Sequence, residues 1–185
     1  MNRQMNRQMN RQMMHFIKFL LGVFMLSACS TSLESYKDKG PRLELDRFFN
    51  GEMKAWGVVM SRSHVVTRRF TATLKGEWKD NVGSLKEEFL FDNKEIQKRE
   101  WKIKKTADNK YEGTASDVEG TGFGETSGFA MNWKYTLKIP VDGTVYNVPF
   151  DDSMFLVDEK NLINRAVMTK FGIRIGEIII FIQKI

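Results

Sequence analysis

Period-2 alternation runs through most of this 185-residue chain. Phe129, Met131, Trp133, Tyr135, Leu137 and Ile139 occupy one parity, while Asn132, Lys134, Thr136 and Lys138 occupy the other. Successive side chains on a strand point to opposite faces, so this stretch predicts a strand with one apolar and one polar face. Val66, Phe70, Ala72, Leu74 and Trp78 alternate likewise against Thr67, Arg69, Thr71, Thr73, Lys75 and Glu77. Leu85, Phe89 and Phe91 share a face, as do Trp101 with Ile103, Tyr111 with Ala115, and Tyr146 with Val148 and Phe150. Asp142-Gly143 between two alternating runs is a hairpin signal. Other turns are predicted at 79–83, 92–94, 107–109 and 158–161. Only 43–49 reads as a helical turn, with Leu45, Phe48 and Phe49 grouped on it. The final strand, 173–185, is apolar on both faces between Ile178 and Ile182, so it needs cover on both sides.

Eight to ten closely spaced strands in residues 43–185 predict one all-β domain, an antiparallel barrel or sandwich. A transmembrane barrel would carry apolar outward faces and aromatic girdles. Here the polar faces are rich in Lys, Thr and Glu.

The N-terminus follows a different pattern. Residues 1–12 repeat Met-Asn-Arg-Gln three times, which is too short a unit to bury a core. Initiation at Met1, Met5, Met9, Met13 or Met14 is open. Arg3, Arg7, Arg11 and Lys18 precede an apolar stretch from Phe19 to Met25, and no acid occurs before Glu34. That is the layout of a signal peptide, too short to span a bilayer as a helix. It ends Leu26-Ser27-Ala28-Cys29, which resembles the bacterial lipobox. The resemblance implies a thioether-linked diacylglyceryl group on Cys29, the chain's one cysteine, after removal of 1–28. The alternative is an ordinary secretory signal with a stray cysteine. Residues 29–42, polar and carrying Gly40-Pro41, read as a lipidated tether. Ser30 in place of aspartate points to the outer membrane in a Gram-negative host.

Charge changes meaning once the leader is set aside. The whole chain has 29 Lys+Arg against 23 Asp+Glu, a net +6. Residues 1–28 hold four of the basic residues and no acid, leaving 29–185 at +2. The densest basic stretch, 98–105, contains Glu100 and alternates with Trp101 and Ile103. Such a solvated strand face gives no reason to expect a nucleic-acid partner.

Several stretches resemble the DUF3833 family of proteobacterial lipoproteins. They are Phe48-Phe49-Asn50-Gly51 with Gly57, Arg68-Arg69-Phe70, and Arg99-x-Trp101. Asp117-Val118-x-Gly120-x-Gly122, continuing to Gly128, Trp133 and Tyr135, is the most specific run. Phe150-Asp151-Asp152-x-Met154 follows, with Ser153 where the family pattern has tryptophan, and Asn164-Arg165, Lys170-Phe171-Gly172 and Gly176-Glu177 close the match. The family has no activity to carry over. The resemblance implies a lipocalin-like up-and-down barrel after a short helical turn. Gly76-Glu77-Trp78 is similar to the lipocalin Gly-x-Trp, but it lies too late in the chain and is taken as coincidence.

Candidate chemistry is sparse. No nucleophile elbow, P-loop or metal-spaced His/carboxylate cluster occurs, so no catalytic residue, metal or cofactor is expected. His64 sits alone in a polar stretch. Asp151 and Asp152 are adjacent, so on a strand they face opposite ways. Glycines 113, 120, 122, 124 and 128 suit barrel curvature. The sharper signal is charge on apolar faces: Glu87 beside Leu85 and Phe89, Arg99 beside Trp101, and Asp117 beside Tyr111 and Ala115. If these faces point inward, the charges pair with one another or meet a polar ligand head. Arg99, Trp101, Asp117, Trp133 and Tyr135 are therefore the candidate ligand-binding residues, with Arg99 suited to a carboxylate or phosphate. The expected function is a lipid-anchored periplasmic barrel, not an enzyme, holding a fatty acid or other small hydrophobic ligand. The alternative is a filled barrel that docks an envelope protein.

Overall fold

A computed structural model describes residues 32–185. Cys29 and the whole proposed leader lie outside the described residues. A 3-10 turn (Leu33–Tyr36) and a one-turn helix α1 (Leu45–Phe48) precede ten strands. These are β1 (Gly51–Ser61), β2 (Val66–Lys79), β3 (Val82–Phe91), β4 (Ile96–Ala107), β5 (Lys110–Thr114), β6 (Gly122–Ser127), β7 (Ala130–Val141), β8 (Thr144–Leu156), β9 (Asn161–Lys170) and β10 (Ile173–Lys184). Each pairs antiparallel with its sequence neighbours, and β1 pairs with β10 to close a barrel. The alternating runs thus form the lipocalin-like barrel expected, and the sandwich alternative falls away. Strands β1, β6 and β9 were not assigned from the sequence. In β1 the cause is that Met53 and Ala55 face inward while Trp56 faces out, so both parities are apolar.

The barrel interior is the core. Met53, Ala55, Phe70, Leu74, Leu85, Trp101, Tyr111, Met131, Trp133, Phe150, Leu162 and Ile182 are all buried there. Two glycines make room for the aromatic part of it. A Cβ on Gly124 would stand 2.2 Å from the Trp133 ring, and one on Gly113 would stand 2.7 Å from it. Gly113 and Gly124 therefore serve the packing of Trp133.

Helix α1 closes one end. The Trp78 indole N–H donates to the Phe49 carbonyl at 3.1 Å, and a Cβ on Gly76 would come within 1.7 Å of that same oxygen. Gly76 and Trp78 together seat the carbonyl behind α1, so the Gly-x-Trp set aside as coincidence has a structural task. Of the expected tether, the described part lies on the barrel. Tyr36 packs against Phe129 and Phe155, with ring centroids 5.0 and 6.0 Å away, and the Leu43 N–H donates to the Gly128 carbonyl.

Among the described residues, the outer face of β10 is covered only in part. Phe181 stacks on Trp56 of β1, yet the two remain 38% and 43% exposed among the described residues. Ile163 of β9, in register with Phe181, extends this row. One stretch of wall is also incomplete. The β4–β5 ladder runs only from Lys102↔Thr114 to Ala107↔Lys110, so the first half of β4 pairs with β3 alone. The 115–121 segment turns instead to β7, through a Val118↔Leu137 bridge.

Candidate functional site

Strand register brings Glu87 of β3 and Arg99 of β4 side by side, as direct cross-strand partners facing inward. The gap beside β4 is closed by a side chain. The Arg99 guanidinium donates through Nε to both Asp117 oxygens, at 3.1 and 2.8 Å, and its Nη2 lies 2.8 Å from Oδ2. Its Nη1 is 3.8 Å from Glu87 Oε2, an ion pair beyond hydrogen-bond reach. Burial works against the Arg99 charge, but Glu87 and Asp117 outweigh it and raise its pKa further. Burial also pushes the Glu87 carboxyl up, against the pull of Arg99 and a hydrogen bond from Trp101.

The opposite wall carries two groups to which the sequence reading gave no place in the site. Asp152 of β8 and Asn164 of β9 are both buried, at 4% and 5% exposure. Asn164 Nδ2 donates to Asp152 Oδ2 at 3.1 Å, and the Tyr135 hydroxyl of β7 reaches the same oxygen at 3.5 Å. Among the described residues, Asp152 Oδ1 and Asn164 Oδ1 have no hydrogen-bond partner. Burial pushes the Asp152 carboxyl up to about 7, although Asn164 and Arg99 hold it down. Burial likewise drives the Tyr135 hydroxyl well above its ordinary range. Asp151, the neighbour of Asp152, faces out to Asn132 and Lys134, as adjacent strand residues must. The missing signal was the continuing period: Val148, Phe150, Asp152, Met154 and Leu156 form one inward series, and Leu162, Asn164 and Ala166 form another.

Between these walls lies a cavity of about 100 Å³. Arg99, Trp101, Trp133 and Tyr135 line it with Glu87, Asp152 and Asn164, over a floor that includes Leu45 and Phe49. Trp101 meets Trp133 and Tyr135 edge-on, at centroid distances of 5.5 and 5.2 Å, and Tyr135 stacks on Phe150. Four of the five candidate ligand residues thus line one space. Asp117 does not line it and instead holds Arg99. The predicted role of Arg99 meets a physical obstacle, because the guanidinium fork expected for a carboxylate or phosphate is already occupied by Asp117. His64 is on the outer wall, with Nδ1 3.1 Å from Glu177 and Nε2 3.0 Å from Arg174. Arg165 also donates to Glu177 and, with these neighbours, holds its carboxyl below the usual range. Among the described residues, no three His, Cys, Asp or Glu side chains form a group able to hold a metal ion.

Residues 23–184 match the profile of a family described as "Protein of unknown function (DUF3833)". The chain belongs to the DUF3833 family. The match covers every strand and α1. No curated protein matches. Among solved structures, the chain is similar to the S-type phycobiliprotein lyase CPES from Guillardia theta. The TM-score is 0.55 at 8% identity, covering 77% of this chain and 93% of the lyase. At that identity the likeness is one of fold: this DUF3833 member shares the lyase's barrel and no inferred chemistry.

Proposed function

We propose that this DUF3833 protein is a lipid-anchored envelope protein whose barrel binds a small amphiphilic molecule in its lumen. The observation that carries this reading is the cavity at the centre of a closed barrel, with aromatic and aliphatic walls and a few buried polar groups. Its volume, about 100 Å³, corresponds to roughly three waters. It takes a small group outright, or the head of a longer chain once Met131 and Met154 shift. Methionine is the side chain best suited to such repacking. The fold shared with a phycobiliprotein lyase is in keeping with a barrel that handles a ligand, and the reading here is binding, not catalysis. Cys29 acylation and cleavage before it place the protein at the outer membrane, facing the periplasm.

Native purification from membranes, then solvent extraction and mass spectrometry, tests the lumen. A stoichiometric small molecule is expected, and a barrel that comes out empty and ignores added amphiphiles overturns the reading. Cys29→Ser should move the protein from the membrane fraction to the soluble one and abolish labelling by palmitate. Unchanged labelling overturns the anchor.

A second reading is a filled barrel that docks an envelope partner through apolar surface. It is favoured by the exposed row of Trp56, Phe181 and Ile163 on the outer wall. Crosslinking from position 163 that recovers one stoichiometric partner, with an empty lumen, would decide for it.

A further inference from the structure

The polar lining of the lumen is unbalanced in a particular direction. Among the described residues, the only basic side chain on the cavity wall is Arg99, and it is held between Asp117 and Glu87. The Asn164 amide and the Tyr135 hydroxyl each direct a donor to one oxygen, Asp152 Oδ2. What remains unpartnered on the wall is acceptors alone: Asp152 Oδ1, Asn164 Oδ1 and Glu87 Oε2. Buried acceptors without donors are costly, and they recover that cost only from a group that brings hydrogens. Charge points the same way. Glu87, Asp117 and Asp152 set three carboxyl groups around one guanidinium. An anionic ligand head would add a fourth negative group beside these three, where the one guanidinium already stands between Asp117 and Glu87. A cationic head would meet surplus acceptors in a low-dielectric site.

We propose that the lumen selects ligands whose polar end donates hydrogen bonds, a primary ammonium foremost, over ligands ending in a carboxylate or phosphate. This rests on the lumen-binding reading above and names its ligand class. An ammonium offers three donors and no acceptor, so it answers the kind of group left unpartnered. The apolar tail lies against Trp101, Trp133 and Met131. Asp152 and Asn164 are the specificity-determining residues, and Arg99 shapes the wall without touching the ligand head.

The test uses the intact, detergent-purified chain with n-butylamine, n-butanol and butyrate, which share one apolar tail. Binding is read from the fluorescence of Trp101 and Trp133 and from ligand-observed NMR. The pH is kept above the value of about 7 at which Asp152 ionises. Butylamine should bind at least about tenfold tighter than butyrate, a difference of one good charge-assisted hydrogen bond. Asp152→Asn should erase the margin of butylamine over butanol while butanol still binds. Equal affinity for the three, or a preference for butyrate, overturns the inference and leaves the lumen reading standing. Binding by none of them overturns both, and the acceptors are then served by water.

Discussion

The two walls of the lumen differ in how their polar groups are satisfied. On the β3–β4 side, Arg99 closes the gap beside β4 by gripping Asp117 and standing next to Glu87. On the β7–β8–β9 side, Asp152 and Asn164 engage each other and still leave two acceptor oxygens with nothing to accept. Both walls put carboxylates at similar depth in one apolar barrel. The difference is the supply of donors. A guanidinium brings five N–H groups in a fixed fork, whereas an amide and a phenol together bring three. The first wall is held by its own ion pairs and leaves one acceptor, Glu87 Oε2, beyond hydrogen-bond reach of Arg99, whereas the second leaves two.

The strongest way to break this contrast is to remove the donor of the closed wall. Arg99→Met should cost about 3–5 kcal/mol in urea denaturation, because it leaves the largely buried Glu87, and the partly exposed Asp117 beside it, without a counter-charge. Adding Glu87→Gln and Asp117→Asn should restore most of that. A loss of under about 1 kcal/mol for Arg99→Met alone would mean that the wall does not depend on the pair.

On the open wall, the fold holds Asp152 near pKa 7 against an ordinary 3.8. Its contribution to stability is therefore fully present below about pH 4, where the group is protonated in both states. It declines between about pH 4 and 7, as the unfolded chain ionises first, and is lost above 7, a change of roughly 4 kcal/mol. Carboxylates held low by neighbouring cations, such as Glu177 beside Arg165, act in the opposite sense. The informative quantity is thus the wild-type curve minus the Asp152→Asn curve, and a flat difference would refute the buried carboxyl.

A smaller effect is expected at Asn164. Asn164→Ala removes the best donor to Asp152 and should cost about 1–3 kcal/mol while raising the Asp152 pKa, which carbon-detected NMR titration can follow. The smallest concerns Asp151, one residue from Asp152 but half-exposed beside Lys134. Asp151→Asn should stay within about 0.5 kcal/mol of wild type by thermal unfolding. An Asp151 effect as large as that of Asp152 would erase the distinction between the faces.

How much of this site was legible depends on the residue. Glu87, Arg99 and Asp117 stood out because each interrupts a run of apolar side chains with a full charge, and one face of a strand exposes such a break. Trp101, Trp133 and Tyr135 were legible by parity alone. Asp152 was visible only as half of an Asp-Asp pair, since its inward series continues through Met154 and Leu156 beyond the stretch where the alternation is clean. Asn164 stood only in the Asn164-Arg165 stretch of the family resemblance, because a neutral amide carries no charge to mark it on the parity of Leu162 and Ala166 until the register of β9 is known.

By itself the sequence determined the class of fold, the strand parity and the inward charges, because period-2 alternation is a local property that each strand carries without its neighbours. It also carries the Leu26-Ser27-Ala28-Cys29 box on which the anchor proposal stands. The tertiary structure decided which charges neutralise one another. That Arg99 belongs to Asp117, and that Asp152 is left with an open oxygen, depends on register between strands up to 65 residues apart in the chain, from Arg99 to Asn164. Pairing is a matter of distance and donor count, and neither exists until the barrel closes.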